Sequence, residues 1–177
     1  MTPSVISESH HGVLVAIEGI GVLIKGEPGC GKSSLALALL AQGHQLIADD
    51  LVLCYASPHP IGLCPRLSHR LLHSRELGLI DVVQHFGANS WLLQHRVDVV
   101  VHLHNQSQSR YYDLMPEQHY DTLCQRALPC LDLSITNPAP LSLRLLTWLK
   151  NQAHSQQTHS VFNQHHRHHL NMPISEA

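Results

Sequence analysis

The stretch GVLIKGEPGCGKSSLALALLAQGHQLIADD, Gly21 to Asp50, decides the fold class. At its centre Gly26 to Ser33, GEPGCGKS, satisfies G-x-x-x-x-G-K-[ST] in full, the pattern of a phosphate-binding loop. Glycines there let backbone N–H groups turn inward on phosphate oxygens with no Cβ in the way. Lys32 supplies a point charge for the outer phosphates, and the Ser33 hydroxyl suits Mg2+. The run SSLALALLAQ is rich in strong helix formers, so the loop opens a helix whose dipole favours an anion. Gly43 reads as its C-cap. The candidate nucleotide contacts are Gly26, Glu27, Pro28, Gly29, Cys30, Gly31, Lys32, Ser33 and Ser34.

Upstream, residues 13–25 read VLVAIEGIGVLIK, two β-branched apolar runs around a glycine turn. A hairpin centred on Glu18-Gly19 makes the numbers of opposed residues sum to 37, which sets His11 across from Gly26. Strand pairing then delivers an imidazole to the phosphate site, and a slip of one residue would turn it away. Downstream, HQLIADD is too short for a helix and apolar enough for a buried strand. Strand, helix and strand predict a βαβ unit with parallel strands ending at one sheet edge. Asp49 and Asp50 therefore fall beside the outer phosphate, only 16 positions after Ser33. Neighbouring strand residues face opposite ways. One carboxylate is then placed for the metal or its water shell, and the other to accept a proton from an incoming hydroxyl. The plainer reading is an Asp pair capping a strand-end turn.

The rest of the chain bounds the class. It has 177 residues, 44% hydrophobic and 14% charged, which suits one domain with a packed core. Formal charge is −2 with histidine neutral, which gives no case for nucleic-acid binding. No apolar run reaches membrane-spanning length, and Met1 to Ser9 lacks a basic leader. The five cysteines are odd in number, scattered, and without zinc spacing, so they read as reduced thiols of a cytoplasmic protein. Cys30 sits inside the phosphate loop, where a small residue tolerated by the loop is a simpler reading than a redox switch. Residues 58–69 hold three prolines and read as loop; VDVVVHLHN, 97–105, reads as a buried strand. Residues 105–121 are polar and read as a mobile loop with Arg110 its one cation. LPCLDLSI and LSLRLLTWLKNQ follow as strand and helix. Of the seventeen histidines many fall in the Gln/His-rich end, a solvated tail more often than a metal site. The spacing of Arg75 and Glu76 leaves a functional pair and an exposed ion pair both open.

Residues 10–105 closely resemble the catalytic domain of bacterial HPr kinase/phosphorylase. The likeness rests on the HG hairpin, the phosphate loop, GH-x-L-x-ADD and the segment LSHRLLHSRELGLIDVVQHFGA. The resemblance implies an α/β P-loop kinase domain similar to phosphoenolpyruvate carboxykinase, with a mixed sheet and an N-terminal hairpin. It implies use of ATP and Mg2+ to phosphorylate a serine of HPr, a carrier of the sugar phosphotransferase system, with reversal by phosphorolysis and assembly as a homo-oligomer, often a hexamer. Carried over, His11, Lys32, Ser33, Asp49 and Asp50 match the active-site set. Asp49 becomes the base, assisted by His11, which leaves Ser33 and Asp50 for the metal. The domain organisation expected is an N-terminal tail at 1–9, the kinase domain at 10–152 and a tail or weak helix at 153–177. The resemblance implies a truncated form that lacks the family's N-terminal domain.

Three positions depart from the family pattern. His73 stands where the family has a metal-shell glutamate, Glu76 where it has glycine, and Leu114 where it has a mobile-loop arginine. Phosphorolysis is the activity these departures weaken first. Two other readings stand beside the kinase: an enzyme of this fold with a different substrate, and a non-catalytic ATP-binding sensor.

Overall fold

The computed structural model describes residues 8–106 and 118–152. Arg110, Leu114 and the histidine-rich end lie outside them. Two compact units divide the chain, 1–138 and 139–177. In the second, residues 141–152 are helical, with buried Leu145 and Leu149 one turn apart on one face.

The first unit is built from two main sheets. The larger has six strands in the order β11-β12-β10-β3-β2-β4, with β2 at Val13–Ile17, β3 at Ile20–Gly26, β4 at Gln45–Ala48, β10 at Val99–His104, β11 at His119–Leu123 and β12 at Arg126–Ser134. It is mixed: β10 runs parallel to β3 and β12, and the other pairs are antiparallel. In the β2–β3 hairpin Val13 faces Ile24 and Ile17 faces Ile20, so opposed numbers sum to 37. Glu18 (φ 50) and Gly19 (φ 82) both lie in the left-handed region, as a type I′ turn requires.

The second sheet has the order β1-β5-β6-β9, with β1 at Glu8–His11, β5 at Leu51–Ser57, β6 at His59–Leu63 and β9 at Gln94–Arg96. The two inner faces share a core of Leu14, Leu23, Ile47, Val52, Cys54 and Val97. Each fully buried aliphatic side chain of this kind stabilises by about 2 kcal/mol. A small third sheet pairs β7, Leu71–Ser74, with β8, Gly78–Asp81. Helix α1, Lys32–Leu40, follows the phosphate loop, and α2, Val82–Phe86, follows β8.

Four expectations change. First, β3 and β4 are parallel in direction but not neighbours, because β2 lies between them, antiparallel to both. Both still end at one edge. Second, residues 59–63 form a strand despite Pro60. The proline sits near the strand's start, and its carbonyl accepts Val97 N at 2.8 Å, so little is lost with its missing N–H. Third, α1 ends at Leu40 with Ala41 as cap, and Gly43 (φ 89) closes the following turn by donating to Leu40 O at 2.9 Å. Fourth, strand structure begins at Glu8 and reaches His11 without joining the hairpin. The outer edge of β4 is covered by residues 89–92: Leu92 N donates to Leu46 O at 2.9 Å and Trp91 Nε1 to Ile47 O at 3.2 Å.

Candidate active site

The phosphate loop leaves β3 at Gly26 and enters α1 at Lys32. Gly29 (φ 85) and Gly31 (φ 97) hold positive φ, the alternation that turns successive N–H groups toward one point. Cys30 N donates to Glu27 O at 3.2 Å and closes the loop on itself. Lys32 is buried at 7% exposure, its Nζ donating to the carbonyls of Gly26 at 2.8 Å and Glu27 at 3.0 Å. An ammonium has three donors, so these bonds fix the charge at the loop mouth and leave one for an anion.

Ser33, in the first turn of α1, donates through Oγ to Asp49 Oδ1 at 3.0 Å. That bond joins the start of α1 to the turn that follows β4. Asp49 is 6% exposed, and its other oxygen accepts His73 N at 2.7 Å. Burial pushes the Asp49 pKa up from its ordinary value. Hydrogen bonds from His73 N, Ser33 and the Asp50 backbone pull the other way and do not cancel it. The result is a carboxylate beside the Ser33 hydroxyl with more proton affinity than an exposed aspartate.

Asp50 is different. Its φ of 67 is left-handed and turns the chain between the two carboxylates. Its side chain is 78% exposed and lies 3.1 Å from His11 Nδ1. His11 arrives by an unforeseen route. The hairpin ladder stops at Val13, and His11 instead pairs with Leu51 in β1–β5 while Gly12 N donates to Asp50 O at 3.0 Å. The imidazole thus stands beside Asp50, not Asp49. Ser33 in turn bonds Asp49 and, among the described residues, has no bond to Asp50.

Arg75 is the residue that spacing left open. It sits in the β7–β8 turn, and its guanidinium nitrogens lie 3.0 and 3.4 Å from where a Cβ on Gly29 would stand. A second cation therefore rests on the phosphate loop. The signal was the turn SRELG, which returns the hairpin beside Asp49, but nothing in its spacing gave the direction. Glu76 is exposed in that turn, and the His73 side chain is exposed while its backbone serves Asp49. Among the five cysteines Cys30 is partly exposed and the others are buried. Among the described residues no helix is long and apolar enough to cross a membrane, and no cluster of three or more His, Cys, Asp or Glu is placed to hold a metal alone. The glycine-lined loop, the Ser33 hydroxyl and the adjacent carboxylates fit Mg2+ shared with a nucleotide, which supplies most of its own ligands.

Compared with known proteins, residues 5–168 match the family model described as HPr Serine kinase C-terminal domain. The chain belongs to this family. Among the family's curated members, the HPr kinase/phosphorylase of Latilactobacillus sakei is 46% identical over 107 residues, 59% of this chain and 34% of that protein. The corresponding protein of Lactiplantibacillus plantarum is 44% identical over 108 residues, 60% of this chain and 34% of its own length. The matched stretch thus spans about a third of these relatives. A solved structure, the Hpr(Ser) kinase/phosphatase from Coxiella burnetii, superposes with TM-score 0.76 at 29% identity, over 92% of this chain and 99% of that one. An HPr kinase domain fold built around a mixed sheet is therefore the architecture, and HPr is the protein for which the family is named.

Proposed function

We propose that this chain is an ATP-dependent protein serine kinase that phosphorylates a serine of HPr or an HPr-like phosphocarrier. The observation that carries the proposal is the Ser33–Asp49 contact of 3.0 Å, a buried carboxylate against the first hydroxyl of a phosphate-loop helix. Gly26 to Ser34 and Lys32 hold the triphosphate through backbone N–H groups and one ammonium. Asp49 accepts the proton of the incoming serine hydroxyl as its oxygen attacks the γ-phosphorus, and the bond to ADP breaks in line. Ser33 and Asp50 would hold Mg2+, which supplies charge neutralisation at the phosphates when bound. His11 acts through Asp50, which it faces at 3.1 Å. Arg75, resting on Gly29, adds positive charge where the transferring group gathers negative charge. Phosphorolysis is the weaker activity, because Glu76 brings a negative charge to the same turn. The assembly proposed is a homo-oligomer, measurable by light scattering.

The test is transfer of labelled γ-phosphate from MgATP to purified HPr of the same organism, with Asp49→Asn as control. Label on HPr with the native chain and none with Asp49→Asn supports the kinase. Saturable ATP binding with no transfer to HPr sinks it and favours a sensor or another acceptor. Lys32→Ala is expected to abolish MgATP binding; unchanged affinity would remove the phosphate-loop assignment.

A further inference from the structure

Outside the site just described, Lys25, His102 and Asp121 form a partly buried polar cluster. Lys25 is the last residue of β3 before Gly26 opens the phosphate loop. His102 is its register partner on β10. Asp121 comes from β11, far away in the chain, and one of its oxygens meets both side chains: Lys25 Nζ at 2.9 Å and His102 Nε2 at 3.0 Å. Its other oxygen accepts its neighbour Thr122 N at 2.7 Å, so the carboxylate's orientation is fixed from its own strand. All three side chains are partly buried, at 17% for Lys25, 37% for His102 and 27% for Asp121.

The β11–β12 hairpin that carries Asp121 is anchored a second time at its tip. Cys124 N donates to Glu8 Oε1 at 2.9 Å, and Glu8 Oε2 lies 2.9 Å from His10 Nε2, one residue before His11. One hairpin therefore touches the strand that ends in the phosphate loop and the strand that delivers His11.

We propose that Asp121 is a positioning residue for the phosphate loop: by gathering Lys25 and His102 on one oxygen, it ties the ends of β3 and β10 together where Gly26 begins. The carbonyl of Gly26 in turn holds Lys32 Nζ at 2.8 Å, so the chain of contacts runs from Asp121 through the backbone at residues 25–26 to the phosphate-binding ammonium. Burial alone raises the Asp121 carboxyl's pKa; the Lys25 and His102 hydrogen bonds outweigh it and hold the carboxyl below the usual 3.8, so it is charged whenever the loop binds an anion. A charge-assisted bond of this kind, lost with its partner left in place, weakens what it positions by roughly tenfold. Asp121 lies outside the phosphate loop, on β11, and its effect falls on nucleotide affinity. The inference rests on the phosphate-loop reading.

The experiment is titration of the full 177-residue chain with MgATP and, separately, with inorganic tripolyphosphate. Asp121→Asn and Lys25→Met are each expected to weaken both ligands by about tenfold. The double variant is expected to lose less than the sum of the two single losses, because both changes remove the Lys25–Asp121 contact. Asp121→Glu, which keeps the charge, is expected to recover most of the affinity. Thermal melts check folding; should Asp121→Asn fail to fold, Lys25→Met and the conservative variant carry the test. Native affinity in a folded Asp121→Asn chain, or additive losses in the double variant, overturns the inference. Lys32→Ala is titrated in parallel. If it loses ATP while Asp121→Asn does not, only this inference fails; if it binds as the native chain does, the phosphate-loop reading fails and takes the inference with it.

Discussion

Asp49 and Asp50 are chemically identical neighbours with opposite surroundings: one buried between Ser33 and His73 N, the other exposed beside His11. Asp49→Asn is expected to abolish phosphate transfer while leaving MgATP affinity within about threefold, since no phosphate contact is removed. Asparagine can accept from His73 N and donate to the Ser33 hydroxyl, so both bonds survive without a buried charge. The melting temperature at neutral pH is therefore expected to stay level or rise, and a fall in a thermal scan would show that the carboxylate holds the fold as well. Gly29 gives a second residue-level prediction. Its φ of 85 costs an alanine about 1 kcal/mol, and the new Cβ would stand 3.0 Å from the Arg75 guanidinium. Gly29→Ala is expected to weaken MgATP about tenfold by titration, with the far-ultraviolet spectrum unchanged; native affinity would mean that neither the loop's conformation nor Arg75 matters there. The loop's conformation was legible because its glycines mark where positive φ is needed, as Gly29 and Gly31 adopt it. The service of His73 to Asp49 was not, because a backbone N–H carries no residue identity.

At the scale of elements, short-range pairing was legible and long-range pairing was not. The β2–β3 register followed from one turn, since a type I′ turn leaves no choice of partner. The path of His11 did not, because β1 leaves that hairpin at Gly12 to pair with β5, forty residues on. Prolines hid β6, where one missing N–H near a strand's start is tolerated. The β8–α2 junction shows an element's end set by one side chain. Asp81 caps α2 by accepting from Val83 N at 3.0 Å and Gln84 N at 3.2 Å, and it also pairs with Arg70 from just before β7. The Arg70 hydrogen bond, more than the opposing burial, holds the Asp81 carboxyl below the usual 3.8. Because the folded pKa is depressed, the stabilisation is present above 3.8 and is lost as pH falls from there through the folded value. Asp81→Ala is therefore expected to melt below the native chain at pH 7, with the gap closing as pH drops past 3.8. A gap that stays constant down to acid pH would assign the effect to the cap's shape and not to its charge.

For the first unit as a whole, the question is what holds its two sheets in one register, since the site draws His11 from one and the phosphate loop from the other. Gly21 answers it more directly than any core side chain. Its N–H donates to Asp98 Oδ2 at 2.9 Å, and Asp98 N returns a bond to Gly21 O at 2.8 Å, where the chain passes from β9 into β10. Arg96 Nε, 2.6 Å from Asp98 Oδ1, fixes that carboxylate from the other side. A Cβ on Gly21 would lie 1.7 Å from the Arg96 carbonyl oxygen. Backbone cannot swing aside as a side chain can, so the crossing must open, and β10 follows because Val99 is paired with Val22 one step away. Gly21→Ala is expected to cost about 3 kcal/mol in urea unfolding, at the upper end for overpacking. Gly43→Ala is the control: its φ is 89, but nothing lies within 4 Å of the added Cβ, so only the conformational cost of about 1 kcal/mol applies. The sequence could not reveal this, because a glycine needed for an approach by residues far along the chain looks like a glycine needed for a turn. Below its melting temperature Gly21→Ala should also weaken MgATP, since the strand that opens, β10, flanks the one that ends in Gly26. Equal losses of stability in the two variants, or full affinity in a Gly21→Ala chain that has lost stability, would show that the phosphate loop is held by its own hairpin and α1 and not by the crossing of the sheets.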